Sequence, residues 1–353
     1  MNKYFTITTL NHSGLGDQLG TQFTRLYAMG LAEGREYIYT PIYFSRSIKP
    51  HWYERNSNIC LRWRSICFFL FGQSFLSSVV NVLLTHWEKH MEAKLFSQKD
   101  NFAEFLGLKN LQKTNHILQA DDDVIHLSWS GDMWEKIPDI DANLRKKGID
   151  VSEIWQTIFS EAFNMLHPDS LDKSVVMHMR LGDSTTIELA DTKLIVYDKY
   201  LYTSEEQMQA IFAIDHHRSS ILPEQYLPVY NQLIDAGYEQ ITILSDGYDL
   251  TYKNILRNLM KRKCPVHLSR ANRKQLMTKL RHRNDVFQQF DGAKLVIGET
   301  EEKLEQSVIA LAHADCVVWG CGGFAVNMHN MFKPLGKQTY IVNIKEFNVD
   351  KIR

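Results

Sequence analysis

From Ser174 onward the chain alternates short apolar runs with amphipathic stretches, an order that few folds accept. The runs are Val175 to Met179, Ile241 to Leu244, Leu295 to Ile297, Cys316 to Trp319 and Tyr340 to Ile344. Between them, Tyr226, Val229, Tyr230, Leu233 and Ile234 recur at helical spacing, with Pro223 near the start and Gly237 after the end. A second helix is expected after Thr300, with Glu301 and Glu302 at the positive end of its dipole and Leu304, Val308, Leu311 and Ala312 turned inward. Strands alternating with helices predict a parallel sheet wrapped by helices, a Rossmann-type nucleotide domain. Its longest irregular stretch, 184–222, is where a mobile loop or lid is expected.

The first half carries less pattern. Met1 to Leu10 reads as a strand and lacks the long apolar run and small-residue cleavage site of a secretory signal, so no export is expected. Gly14-Leu15-Gly16-Asp17-Gln18 follows Ser13, and Leu19, Phe23, Leu26, Tyr27 and Leu31 then share one helical face, which gives strand, glycine turn, helix. Residues 35–165 are mixed and aromatic-rich, with helical patterns around Trp87 to Phe105 and Ile154 to Leu166 and a strand-like Val124 to Trp129. At 353 residues the chain is long enough for two domains, placed here at 1–168 and 169–353.

Composition excludes several classes. A 44% hydrophobic and 23% charged chain is not disordered, and 40 basic against 41 acidic residues leave no overall field toward nucleic acid. Cys60, Cys67, Cys264, Cys316 and Cys321 contain no C-x-x-C pair, which fits neither a disulfide framework nor a zinc site and suits a reducing cytosol. Ile66 to Leu84 is uncharged, but Gly72, Gln73, Ser74, Ser77, Ser78 and Asn81 interrupt it. Two buried or interfacial helices are expected there rather than a span, with peripheral membrane contact through 59–85 as the alternative to a core.

Three motifs fall where an α/β sheet places its ligand, at the carboxyl ends of strands. His178-Met179-Arg180-Leu181-Gly182-Asp183 puts His178 and Arg180 on one face, where the guanidinium can hold a diphosphate or pair with Asp183. Ser245-Asp246-Gly247 offers a carboxylate to a base or ribose, or is simply a turn. Trp319-Gly320-Cys321-Gly322-Gly323-Phe324 is a glycine loop that can cradle phosphate or allow close packing. The N-terminal Gly14, Gly16 and Gly20 imitate a dinucleotide fingerprint, but the next strand-like stretch, Tyr37 to Tyr43, ends without the ribose-binding acid. Asp17 reads better as a general base presented from a tight turn, or as a helix cap.

In order, these segments resemble the fucosyltransferase superfamily that includes bacterial α-1,2- and α-1,6-fucosyltransferases, nodulation fucosyltransferases and protein O-fucosyltransferases. Gly14 to Gln18 is similar to its G-x-G-N-Q turn, His178 to Asp183 to its H-x-R-x-G-D strand end, and Ser245-Asp246 to its Ser/Thr-Asp. Val317 to Phe332 is similar to its final strand, loop and helix. The resemblance implies an α/β GT-B fold, two facing Rossmann-like domains with a cleft between them, and inverting transfer without a metal or resident cofactor. The donor would be GDP-fucose or a related GDP-sugar. It would be held by Gly14, Gly16, His178, Arg180, Asp246, Gly322, Gly323 and Phe324. Asp17 is the first candidate base and Asp183 the second, and a glycan or glycolipid is the acceptor, met in the cytosol near the inner membrane face. Leu181 stands where many members have a second arginine, Asp17 where they have asparagine, and the loop lacks their serines.

Two other readings compete. Ile117 to Asp123 resembles an apolar strand ending in the D-x-D of a metal-dependent GT-A transferase. A glycan-binding protein without chemistry is the other.

Overall fold

The computed structural model describes residues 3–10, 14–44, 49–95, 102–167, 174–197, 199–212 and 221–351; Ser13 and the boundary at 168 lie outside them. Strand β1 (Lys3–Leu10) leads into the glycine turn and a helix in three parts: α1 (Leu15–Asp17), a wider π-turn over Gln18–Phe23, and α2 (Thr24–Ala32). The widening has a local cause, because Thr24 Oγ1 donates to the Leu19 carbonyl five residues back at 3.1 Å. The stretch expected as one strand from Tyr37 to Tyr43 is instead β2 (Glu36–Tyr37) and β3 (Tyr43–Phe44).

Helices α3 (His51–Phe71) and α4 (Phe75–Leu95) form a hairpin turned at Gly72, whose φ of +58° suits glycine. After α5 (Phe102–Phe105) come β4 (Asp123–Ser128), α6 (Ile137–Lys146) and α7 (Val151–Asn164). β2, β3 and β4 all pair with β1 in parallel.

The second sheet starts with β5 (Ser174–Met179). The stretch expected to be irregular then forms β6 (Ser184–Glu188), β7 (Lys193–Tyr197) and β8 (Tyr200–Tyr202), an antiparallel sheet in which Glu188 pairs with Lys193. Thr, Ile, Val and Tyr at successive positions favour strands, and the residues between Glu188 and Lys193 close the hairpin. Helix α8 (Glu205–Phe212) follows; 198 and 213–220 lie outside the described residues. The remaining elements are α9 (Pro223–Asp235), β9 (Gln240–Ser245), α10 (Asp249–Leu259), α11 (Arg270–Arg281), β10 (Lys294–Ile297), α12 (Glu301–His313), β11 (Cys316–Trp319), α13 (Phe324–Phe332) and β12 (Tyr340–Asn343).

The five parallel strands stand in the order β10-β9-β5-β11-β12, so the chain winds outward from β5 in one direction and then in the other from β11. The fold is therefore α/β with helices on both faces of a parallel sheet. Val175, Met177 and Met179 join α9, α10 and α11 in one core, while Val176 and Val317 join α12 and α13 in the other. That second core continues without a break into Phe5, Ile7, Phe23 and Phe159 of the N-terminal half.

Candidate functional site

The strand order reverses between β5 and β11, and the carboxyl ends of these two strands bound the crevice in which open α/β sheets bind ligands. Arg180 leaves β5 there, and the glycine loop leaves β11 there. The Arg180 guanidinium donates twice to Asp183, Nε to Oδ1 and Nη2 to Oδ2, both at 2.8 Å. This paired geometry raises the Arg180 pKa further above its ordinary value, burial working against it. The same guanidinium lies on Gly322, where φ is +78° and a Cβ would stand 2.9 Å from Nη1. Only glycine lets the loop run this close to the cation.

Asp246, at the end of β9, faces the same point. Its Oδ1 accepts the Leu181 N–H at 2.7 Å, and Gly182 leaves it room, since a Cβ there would be 2.7 Å from Oδ2. Burial pushes the Asp246 pKa up to about 7, Glu299 and Asp183 add to the rise, and the Leu181 and Gly182 N–H groups oppose it. Leu181 itself is core. The backbone around it, not a second cation, is what Asp246 holds.

His178 is buried against the Phe324 ring, with centroids 5.7 Å apart. Burial lowers its pKa to about 4 and Arg180 adds to that, so the ring is neutral at ordinary pH. Its Nδ1 has no hydrogen-bond partner among the described residues. The His178 carbonyl accepts the Tyr226 hydroxyl at 2.8 Å, and that hydroxyl fills the space beside Gly320.

The N-terminal turn reaches this region through Asn327 of α13. A Cβ at Gly16 or at Gly323 would each meet Asn327 Nδ2 at 3.2 Å, so one side chain lies against both glycine segments. Asp17 and Gly14 are exposed on the same turn. Beside it opens a hollow of about 420 Å³ whose walls include Gly16, Gly20, Arg25, Asp141, Trp155 and Asn327.

Three participants were missed at the level of sequence. Lys49 pairs with Glu299; burial disfavours its ammonium, but Glu299 and then Asp246 hold its pKa above the usual value. Lys49 also bridges in parallel to Thr300, and its carbonyl accepts the Glu301 N–H at 3.2 Å. The first half of the chain thus brings a cation to the carboxyl edge of the second sheet. Asn327 and Glu299 are the other two, and no spacing rule marks a lone Asn on a helix or a Lys before one.

The aspartates of the metal-dependent alternative are placed elsewhere. Residues 117–120 form no strand, and Asp123 begins β4 instead of ending one. Asp122 accepts from His116 at 2.7 Å and from the Gln119 N–H at 2.6 Å, and Asp123 pairs with Arg35 at 3.1 Å. These carboxylates close a turn at the amino end of a strand.

No protein-family model matches the chain, and no curated protein sequence matches it. Solved structures of POFUT1 align along nearly the whole length. The apo form covers 96% of this chain and 97% of its own at 11% identity and a TM-score of 0.36. The complex with GDP covers 98% and 99% at 10% identity and 0.34, and a complex with GDP-fucose 97% and 98% at 10% and 0.33.

Proposed function

We propose that this chain is a glycosyltransferase that moves L-fucose, or a related sugar, from a GDP-sugar to a hydroxyl of a glycan or glycolipid. The observation that carries the reading is the contact of Arg180 with the Gly322 loop at the reversal point of the sheet, a cation and a bare backbone facing one crevice. The order of motifs, similar to that of the fucosyltransferase superfamily, supplies the sugar and the nucleotide.

Transfer is a single inverting displacement. The acceptor oxygen bonds to the anomeric carbon, the bond from that carbon to the diphosphate oxygen breaks, and its electron pair leaves with GDP. Arg180 meets the growing charge on the diphosphate together with the N–H groups of Gly322 and Gly323, and no metal takes part. Lys49 is the second cation, in place of the arginine that Leu181 replaces. The neutral His178 and Phe324 line the nucleotide side, and Asp246 holds the backbone that carries Arg180. Asp17 takes the acceptor proton, because both oxygens of Asp183 are committed to Arg180. The donor belongs to 169–353 and the acceptor to 1–168, in the cytosol.

Calorimetry with GDP, UDP and CMP, each with manganese and with a chelator, tests the reading. GDP binding that ignores the chelator is the expected result; metal-dependent UDP binding moves the site to Asp121 to Asp123, and no nucleotide binding ends the proposal. Given a donor, Arg180→Ala should lower turnover by roughly 10²- to 10³-fold with an unchanged melting temperature, the usual cost of one lost charge-stabilising donor. Asp17→Asn should lower kcat while leaving GDP affinity as it was.

A further inference from the structure

Helix α3 buries Leu61, Cys67 and Phe68 in the core, but its partner α4 is inside out. On α4 the residues turned toward the protein are Ser77, Asn81, Glu88 and Met91, whereas Phe75, Val82 and Leu83 are 72%, 67% and 64% exposed. Across the Gly72 turn, Trp63, Phe69, Leu70 and Phe71 of α3 extend the exposed patch. The polar residues of this uncharged stretch are used internally. Gln73 Nε2 donates to the Val266 carbonyl at 2.6 Å and the Leu259 carbonyl at 3.2 Å, and Asn81 Nδ2 donates to the Arg257 carbonyl at 3.0 Å. The Ser77 N–H donates to Ser74 Oγ at 3.3 Å, and Ser78 Oγ to the Ser74 carbonyl at 3.3 Å.

A helix whose outer face meets water carries its polar side outward, and single exposed apolar residues are ordinary. A continuous patch of large ones at a hairpin tip is not, and marks an interaction surface. Charge says which kind. Segments 55–87 and 250–284 hold 14 of the chain's 40 lysines and arginines and none of its 41 acids; nine of the 14 are exposed, while Arg64, Lys253 and Arg257 turn inward onto Glu88. They pack together: Lys261 and Arg262 border a hollow of about 330 Å³ with Phe75, Val79 and Val82, and the Arg273 guanidinium lies against Gly72. Lys261, Arg262 and Lys263 are exposed. A second copy seated on this tip by a two-fold axis would set like charges together. Neither helix is long and apolar enough to cross a membrane.

We propose that the hairpin tip docks the protein on the surface of an anionic lipid bilayer. Phe69, Leu70, Phe75, Val82 and Leu83 enter the boundary between headgroups and acyl chains, and Lys261, Arg262 and Lys263 meet the lipid phosphates. Docking needs neither nucleotide nor acceptor, so it stands or falls apart from the transferase reading.

The full chain is mixed with vesicles of phosphatidylcholine alone or with about a third phosphatidylglycerol, a content that makes the surface strongly negative. Binding is read by co-sedimentation and by the fluorescence of Trp63 and Trp87. The expected result is binding to the anionic vesicles only, weakened by salt, with a blue shift. The double variant Lys261→Glu, Arg262→Glu should bind at least tenfold more weakly, since each basic residue at such a surface contributes about fivefold. The double variant Phe69→Ser, Val82→Ser should lose the blue shift with its melting temperature kept. Equal sedimentation with and without phosphatidylglycerol overturns the proposal. So does a wild-type dimer in light scattering that Phe69→Ser, Val82→Ser turns into a monomer, because the patch then belongs to a second copy. Wild-type sedimentation decides the matter even if a variant is unstable.

Discussion

The Tyr226 hydroxyl occupies the volume that any side chain at position 320 would need, and it is fixed there by donating to the His178 carbonyl. Gly320→Ala forces one of the two to move and should cost roughly 1–3 kcal/mol, as overpacked cores do. Tyr226→Phe alone should cost about 1 kcal/mol for the lost hydrogen bond. If the clash is with the hydroxyl, the double variant costs less than the two together, which urea denaturation of the four proteins measures. A strictly additive result places the strain elsewhere. Asp246 offers a second test at this scale. Burial raises its folded pKa from 3.8 to about 7, so the folded protein binds a proton that the unfolded chain has released between those values. Stability from this group is therefore present at the acid end and lost as pH rises from about 4 to about 7. Asp246→Asn keeps an acceptor for the Leu181 N–H and removes the titration. The melting temperature of the wild type should fall relative to that of the variant across this window, and a constant difference would show that Asp246 ionises at its ordinary pH.

Among the elements, the five strands of the second sheet were legible because each is a short apolar run between helical patterns, and Thr300 and Gly237 mark helix ends where the structure has them. The convergence of Arg180, Asp246 and the glycine loop was legible for the same reason, since all three follow strands of one parallel sheet. The 184–202 sheet was not, because its β-forming residues are cut by turns into pieces too short to stand out. The hairpin was half legible: its uncharged sequence announced helices with polar interruptions, but not that the interruptions face inward. What holds it is a long-range cluster no local pattern encodes. Buried Glu88 accepts from Arg64 at 2.7 and 2.6 Å and from Arg257 at 2.6 Å, and lies 3.3 Å from the Lys253 ammonium. Burial works against the Glu88 carboxylate, but these cations, Arg64 first, hold its pKa at about 2. Glu88→Gln strands three cations and should cost about 3–5 kcal/mol at pH 7, with urea midpoints as the measure. The folded pKa is depressed, so this stability is present above about 4.5 and lost as pH falls toward 2. The gap between the two proteins should close on acidification, and a gap independent of pH would mean that Glu88 acts by shape and not by charge.

At the scale of the molecule, the two halves of the chain grip each other from two sides. On one side α7 meets α13: Phe159 and Phe163 stand 5.5 and 5.0 Å from the Phe332 ring, and Ser160 Oγ donates to the Lys333 carbonyl at 2.7 Å. On the other, the α3–α4 hairpin leaves the first half and binds α10 through Glu88, Asn81 and Gln73. Neither half keeps its own core closed without the other, because the apolar cluster that includes β1 and α2 also includes α12 and α13. Two independent domains would unfold in two steps; a shared core predicts one. Urea unfolding followed by far-ultraviolet circular dichroism and by tryptophan fluorescence should give a single, coincident transition. Phe332→Ala, at the centre of the shared rings, should lower both curves together by about 3–5 kcal/mol, the cost of emptying a buried phenylalanine site. Two resolved transitions in the wild type, or a Phe332→Ala variant that shifts one probe alone, would instead give each half a core of its own. The grip then becomes a surface along which the halves can move.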